Sequence, residues 1–273
     1  MLNRFTGLMS HPMTFAGQDM VVLLMLLAFL FFAPIRQRIL SVAVALGAVL
    51  IGAALLVNGT RTVWLGVAAA GVWLAWRWKR WVAVAAPVAI ITFVWIIPGP
   101  VHDRFRSIIH PQKNVDSNEF RIICLKTGIR MVEAHPWLGI GLDETKYHFL
   151  DYIPPDLSSR PPGFYQHLHN VYVQYAAERG IPTLLMMLWM LGLIFYDFHR
   201  ALASLPQGPS NERFLLNGGI AVLIGIMVSG MFEVNLGDSE VLTVFLVVVT
   251  CGYIAAATLI PSKREASQQL ELV

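Results

Sequence analysis

Long apolar runs joined by short polar connections make up most of the chain, and one long polar segment interrupts them. A helix crosses a hydrocarbon core of about 30 Å with about 20 residues, because each residue advances it by about 1.5 Å. Seven runs approach that length, so the pattern predicts an all-α polytopic membrane protein with about seven transmembrane helices. These runs are residues 15–33, 39–57, 63–76, 81–97, 181–198, 214–232 and 241–260. The third is short and reaches across a membrane only if residues 58–62 lie at its interface.

The polar segment, residues 98–180, predicts a large external loop. It separates a four-span region (1–97) from a three-span region (181–260), which a polar tail (261–273) follows. Six of the eight histidines fall within this loop, so any chemistry is expected there. Within it, Gly139-Ile140-Gly141 predicts a tight turn, and the proline-rich residues 151–166 predict an extended lid.

Residues 118–134 predict an amphipathic helix inside the loop, with Asn118 as its cap. Four charged residues share one narrow arc of the helical wheel and predict a solvated face: Glu119, Lys126, Arg130 and Glu133. Arg121 falls on the opposite side, near Cys124 and Gly128. Because burying a permanent charge is costly unless it is paired, an anionic group is expected beside Arg121.

The positive charges predict the orientation, since Lys and Arg accumulate in short cytoplasmic connections. They occupy every second connection and the tail: Arg36, Arg38, Arg77, Lys79, Arg80, Arg200, Arg213, Lys263 and Arg264. The N-terminus and the large loop are therefore expected outside, and the C-terminus in the cytoplasm. The N-terminus is expected outside although no signal peptide precedes it, and residues 1–14 resemble a connection between two spans. Both features predict that the chain is the later part of a longer protein and lacks an odd number of its spans.

Composition agrees with a membrane protein: 56% of residues are hydrophobic, 14% are charged and the mean hydropathy is +0.61. The net charge of +3 follows from the basic connections, so it indicates membrane orientation rather than nucleic-acid binding. Two cysteines, Cys124 and Cys251, provide no disulfide framework and make redox chemistry an unfavoured interpretation.

His169 is the leading catalytic candidate, because a histidine near its free pKa can take a proton from a hydroxyl group. A histidine that only closes the start of a helix explains the pattern equally well, and Asn170 beside it could cap or orient that helix. His167 and His169 as metal ligands are disfavoured, because no further ligand motif accompanies them. No metal or other cofactor is therefore expected.

Arg61, at the external end of the third span, and Arg121 could share an anionic ligand. A guanidinium suits phosphate because its planar fork donates two parallel hydrogen bonds. The alternative for a lone arginine is an interface anchor that extends to the headgroups. Glu233, Asp238 and Glu240 follow a span and predict solvated carboxylates, one of which could face the loop.

Four stretches in this order resemble the O-antigen ligase and O-antigen polymerase (Wzy-type) family of bacterial envelope glycosyltransferases. They are Arg4-Phe5-Thr6-Gly7 with His11-Pro12, Gly59-Thr60-Arg61-Thr62, Phe120-Arg121 through His135-Pro136-Trp137-Leu138-Gly139-Ile140-Gly141, and His169-Asn170 through Glu178-Arg179-Gly180-Ile181. Members of that family look like proteins of about a dozen helices, with a GT-C-like fold and three spans after a periplasmic loop. The resemblance thus implies that about five N-terminal spans are absent, and such a fragment could be inactive by itself.

The resemblance also implies an activity in lipopolysaccharide biosynthesis at the bacterial inner membrane. The donor would be a glycan on undecaprenyl diphosphate, and the acceptor a sugar hydroxyl on lipid A core or on another repeat unit. Arg61 and Arg121 match the arginines that hold the diphosphate, and His169 matches the histidine near the acceptor. Arg4, His167, Asn170 and Glu178 would support the site, and a structural role is expected for Asn170 and Glu178.

Two other functions remain open from the residues alone. A transporter or permease component is the first, although ion-coupled carriers usually keep ionisable groups within their spans and the runs here have almost none. A non-catalytic assembly partner is the second. The choice between ligase and polymerase also stays open, with ligase preferred.

Overall fold

A computed structural model describes Thr6, Gly7, Met9, residues 11–85, Val88, Thr92, 117–155 and 167–258, with the backbone alone at 117–119. Across these residues the protein is helical, and no strand occurs among them. The α-helices whose two ends both lie within the described residues are α1 Pro12–Phe32, α2 Arg38–Asn58, α3 Arg61–Trp78, α4 Ser117–Ala134, α5 Thr145–His148, α6 Val171–Ser204, α7 Asn211–Gly230 and α8 Ser239–Ala257. The 3₁₀ turns described among them are Phe149–Tyr152 and Asn235–Gly237.

Five of these helices are long and apolar enough to cross a membrane: α1, α2, α6, α7 and α8. The fold is therefore that of a polytopic α-helical membrane protein, but the predicted count of seven spans is not reproduced within the described residues. The third predicted span exists as α3, whose arginines at both ends and four tryptophans lower its mean hydropathy. The fourth predicted span, residues 81–97, lies mostly outside the described residues.

Helix α7 is the centre of the membrane bundle. It packs against α1, α3, α6 and α8, and 67% of the residues in an 18-residue apolar stretch of α7 are buried. By contrast, only 11% of the residues in such a stretch of α2 are buried, so α2 lies at the periphery. Small residues let the central helices approach closely, as in many membrane bundles: a Cβ atom at Gly66 of α3 would meet the carbonyl oxygen of Gly225 in α7 at 2.7 Å.

The helices alternate in direction, so their ends form two chemically different faces. At one face, called here the basic end, the backbone N–H of Ser210 donates to the carbonyl of Phe32 over 3.0 Å, and the rings of Phe31 and Trp78 stack at 4.6 Å. At the other, the loop end, the side chain of Asn58 donates to the carbonyl of Pro12 over 3.1 Å. The described basic connections belong to the first face and the loop belongs to the second, as the charge pattern predicts.

The described part of the loop has a small apolar core of its own. Its members come from α4, the first 3₁₀ turn and the start of α6: Cys124, Met131, Phe149, Leu168 and Ala177. Lys126, Arg130 and Glu133 on α4 are exposed, as the helical wheel predicts, and the side chain of Glu119, the fourth residue of that predicted face, lies outside the described residues. Loop residues 156–166, most of the predicted lid, lie outside the described residues.

A kink at Gly180 divides α6 into a loop portion and a membrane portion. Gly180 has φ 83° and ψ 164°, a region that essentially only glycine adopts. Pro182 has no N–H to offer the carbonyl of Glu178, and the kink frees the carbonyl of Ala177 and the N–H of Ile181.

The turn at residues 136–141 replaces each bond that the kink breaks. Ile140 N–H donates to the carbonyl of Ala177 over 2.8 Å, and Gly141 N–H donates to that of Glu178 over 3.1 Å. Ile181 N–H in turn donates to the carbonyl of Pro136 over 2.8 Å. We call this arrangement the turn lock. It fixes the loop to the first residue of a membrane span.

Candidate functional site

Arg121, His169 and Glu233 meet at the loop end although they are far apart in sequence. The guanidinium of Arg121 forms an ion pair with one carboxylate oxygen of Glu233. The other carboxylate oxygen lies 3.5 Å from Nδ1 of His169. The ring of Phe120 meets the imidazole edge-on, with centroids 5.8 Å apart. Glu233 is only 8% exposed, so one buried carboxylate connects a cation and a histidine.

The backbone around His169 is held in an unusual conformation. His169 has φ 51°, which few non-glycine residues adopt and which often marks a functional position. Asn170 then caps α6, because its side-chain oxygen accepts from the N–H groups of Tyr172 and Val173, both at 3.0 Å. Its amide nitrogen donates to the carbonyl of Met231 over 2.9 Å and thereby connects His169 to the turn that holds Glu233.

Glu178 anchors the opposite side of the same loop through a buried network. Its carboxylate accepts from Gln174 over 2.6 Å and from Thr145 over 3.2 Å. Gln174 uses its oxygen to accept the backbone N–H of Leu168 over 2.8 Å. The network therefore fixes the residue directly before His169, which agrees with a structural role for Glu178.

Within the described part of the chain, His169 lines two of the cavities that open at the loop end. The larger, of about 440 Å³, has a mixed polar and apolar lining, and its charged or titratable lining residues are His11, His167, His169, Glu233, Asp238 and Glu240. The smaller, of about 210 Å³, contains Arg121 beside apolar side chains, among them Ile122, Leu125 and Phe232. We call them the carboxylate cavity and the arginine cavity.

Arg121 retains hydrogen-bonding capacity after its contact with Glu233. Its side chain is 18% exposed, and its Nε atom is buried with no hydrogen-bond partner within the described structure. A guanidinium has five N–H donors in a planar fork. The remaining donors suit an anion in the arginine cavity.

Arg61 is buried at the first residue of α3, with 9% of the residue exposed. Its neighbours Thr60 and Val63 line the carboxylate cavity, so it lies at the same end of the bundle as Arg121. Neither described cavity is lined by both arginines. The shared diphosphate site of Arg61 and Arg121 thus stays a prediction, and Arg4 lies outside the described residues.

A family model for O-antigen ligases matches residues 46–188, just over half of the chain. The chain belongs to the O-antigen ligase family. A search of curated proteins gave no match. Membership in this family, with the apolar helices, makes it a bacterial membrane protein of the type that transfers glycans as O-antigen ligases or polymerases.

The matched region of this O-antigen ligase family member contains Arg61, Arg121, His169 and Glu178 but ends before Glu233. From its place after a span, Glu233 is expected to be a solvated carboxylate that could face the loop. Its position between Arg121 and His169 depends on the packing of α7 against α6. The demand of Arg121 for an anionic neighbour was the signal that could have identified it.

His167 also lines the carboxylate cavity of the O-antigen ligase family member. Surrounding protein atoms lower the pKa of its imidazole below the ordinary value, and the nearby His169 lowers it further. His167 is therefore neutral near pH 7 and can both donate to and accept from a sugar hydroxyl. Among the described residues, no group of three or more His, Cys, Asp or Glu side chains is arranged to hold a metal ion.

Proposed function

We propose that the protein transfers a glycan from undecaprenyl diphosphate to a sugar hydroxyl at the periplasmic side of the inner membrane. The observation that supports this best is that His169 lines two cavities that differ in their ionisable groups. One offers a cation and apolar surface, and the other offers carboxylates and histidines. A lipid diphosphate and a sugar acceptor need these two environments on either side of a proton-accepting group.

The donor binds on the side of the arginine cavity. The remaining donors of Arg121 hold the diphosphate, and the apolar residues beside it contact the isoprenoid chain. Arg61, at the same end of the bundle, supplies a second positive charge. As the bond between the anomeric carbon and the diphosphate oxygen breaks, the electron pair leaves with the diphosphate, and fixed positive charge stabilises it.

The acceptor binds in the carboxylate cavity, where Glu240 can accept hydrogen bonds from sugar hydroxyls. Asp238 beside it caps α8 and already accepts from Thr14, so it shapes this cavity. His169 takes the proton of the attacking hydroxyl while the oxygen of that hydroxyl bonds to the anomeric carbon. Glu233, beside Nδ1, orients the imidazole and stabilises its charged form, as carboxylates do for catalytic histidines elsewhere. No step requires a metal ion, because the diphosphate is already a good leaving group.

The preferred acceptor is lipid A core, which makes the protein a ligase, and the alternative is another repeat unit, which makes it a polymerase. The two are distinguished by their products. A ligase adds the glycan to purified lipid A core, whereas a polymerase extends the lipid-linked donor when no core is present. The orientation of the loop towards the periplasm is part of the same proposal and agrees with the basic end facing the cytoplasm.

The test is transfer of labelled glycan in cells that encode variants at the native locus. Arg121→Ala and His169→Ala should each lower transfer at least about 100-fold, the lower range for loss of an acid–base or charge-stabilising group. Arg61→Ala should also abolish transfer. Arg130→Ala is the matched control, because Arg130 lies on the same helix as Arg121 but is exposed.

Protein abundance is measured in the same membranes, so that loss of transfer is separated from loss of the protein. Normal transfer by both arginine variants would remove the diphosphate site, and normal transfer by His169→Ala would remove the base. Chelators should have no effect, and inhibition that added divalent metal reverses would contradict the metal-independent mechanism.

A further inference from the structure

Two of the most exposed apolar residues in the described loop are adjacent and belong to the turn lock. Trp137 is 75% exposed and Leu138 is 85% exposed. Leaving both in water is costly by the hydrophobic effect, and adjacent exposed apolar side chains mark a contact surface. The backbone of this turn is fixed at both ends by its hydrogen bonds to α6, so these side chains are presented by a rigid support.

The turn lock sets the height of these residues relative to the membrane. From Ile181 to Arg200 the helix advances about 28 Å at about 1.5 Å per residue, which is close to the hydrocarbon thickness of about 30 Å. With Arg200 at the basic end, Ile181 lies at the opposite boundary of the hydrocarbon core. Its N–H donates to Pro136, the residue directly before Trp137. Trp137 is therefore held at the level of the lipid headgroups.

The residues on either side of the turn agree with a position at the lipid headgroups. Below it, the membrane portion of α6 presents exposed apolar side chains, including Leu185 at 58% and Trp189 at 68%. Above it, the guanidinium of Arg179 lies over the ring of Tyr175 at 4.3 Å, a pair that can contact lipid phosphates. The exposed apolar surface thus runs from the lipid-facing side of a span onto the turn.

We propose that Trp137 and Leu138 insert into the outer-leaflet interface of the bilayer and anchor the loop to lipid. The occupant of this surface is lipid, because the surface is continuous with a transmembrane face and Trp favours the interfacial region. Through the turn lock, the anchor fixes the loop portion of α6, and with it Asn170 and His169, at a set height above the membrane. The proposal does not depend on which glycan is transferred.

Site-directed fluorescence tests this contact in vesicles of phosphatidylethanolamine and phosphatidylglycerol. The variants are made in a Cys251→Ser background and labelled with an environment-sensitive fluorophore at Trp137→Cys or Leu138→Cys. Cys124 does not compete for label, because it is fully buried and burial raises the pKa of its thiol to about 12. Two quenchers are compared: a phospholipid with a nitroxide near its headgroup, and aqueous iodide.

Two control positions set the scale. Leu185→Cys lies on the exposed side of the membrane portion of α6, and Asp151→Cys carries a side chain that is 66% exposed in the polar part of the loop. Labels at 137 and 138 should be quenched by the nitroxide lipid about as strongly as the label at 185, and severalfold less by iodide than the label at 151. Strong iodide quenching at 137 and 138 would overturn the proposal. Quenching by neither agent would do so too, since protein would then cover the turn.

Discussion

At the scale of single residues, the site depends on Glu233. One carboxylate oxygen pairs with the Arg121 guanidinium and the other lies beside Nδ1 of His169, so Glu233 partly neutralises a cation and orients an imidazole. It also leaves some guanidinium donors unused, since Arg121 Nε has no partner in the described part of the chain. Because Glu233 partly offsets the charge of Arg121, the guanidinium can bind a phosphate and still release it after transfer.

Glu233→Gln should lower kcat for glycan transfer by about 100-fold, because a neutral amide cannot stabilise a protonated imidazole. The KM for the lipid-linked donor should change much less, since Arg121 remains in place. Steady-state kinetics with purified donor and acceptor measure both constants. Glu133→Gln, an exposed carboxylate on α4, is the matched control. Unchanged kcat in Glu233→Gln would exclude Glu233 from the mechanism.

At the scale of secondary-structure elements, the important feature is the division of α6. A continuous helix would satisfy its own hydrogen bonds and would leave the turn at 136–141 with nothing to hold it. Gly180 and Pro182 break that continuity, and the turn supplies the missing partners. The loop portion of α6 begins directly after its cap Asn170 and contains Glu178, so the turn lock connects the position of the span to that of the site.

Gly180→Ala should break the hydrogen bonds of the turn lock, since a Cβ atom there would collide with the backbone carbonyl of Trp137. The backbone conformation alone would cost about 1–3 kcal/mol for a non-glycine residue. We expect faster proteolysis of the loop and a loss of transfer, with the membrane bundle still folded. Limited proteolysis of the protein in vesicles measures the first effect.

Gly192→Ala is the control for that experiment, because Gly192 lies on the same helix and a Cβ atom there meets nothing within 4 Å. Equal cleavage rates in the two variants and the wild-type protein would show that Gly180 is not needed to hold the turn.

At the scale of the whole molecule, the bundle is organised around α7, whose glycines allow close helix crossings. Gly66 of α3 approaches the backbone of Gly225, and Phe198 of α6 is buried against Gly219 and Gly252. These contacts determine where the ends of α3, α7 and α8 lie, and hence the shape of the carboxylate cavity. Because lipid tails are as apolar as the helix surfaces, the hydrophobic effect contributes little to helix association in a membrane. Close packing at these glycines therefore mainly determines which helices pair.

Gly66→Ala should destabilise the bundle by about 1–3 kcal/mol, because the added methyl group would overpack the α3–α7 crossing. Gly71→Ala on the same helix should be neutral, or stabilising by up to about 1 kcal/mol, since a Cβ atom there meets nothing within 4 Å. Thermal unfolding in detergent measures both. A melting temperature of Gly66→Ala at or above that of Gly71→Ala would contradict the close crossing.

The pattern of apolar runs and basic connections determined the class of fold, the alternation of helix direction and the position of the large loop. These features follow from local composition, because a bilayer demands apolar length and a charge bias from every span. The wheel of α4 likewise determined that Arg121 faces away from solvent. The family was recognised from short motifs in a fixed order.

Only the tertiary structure decided which groups meet Arg121 and His169. Glu233 follows α7, and its approach depends on how α7 packs against α6 and how Asn170 joins the two. The turn lock was equally hidden, because its hydrogen bonds join residues about 40 positions apart. Sequence patterns encode the environment that each segment requires, whereas the pairing of distant side chains depends on packing between segments.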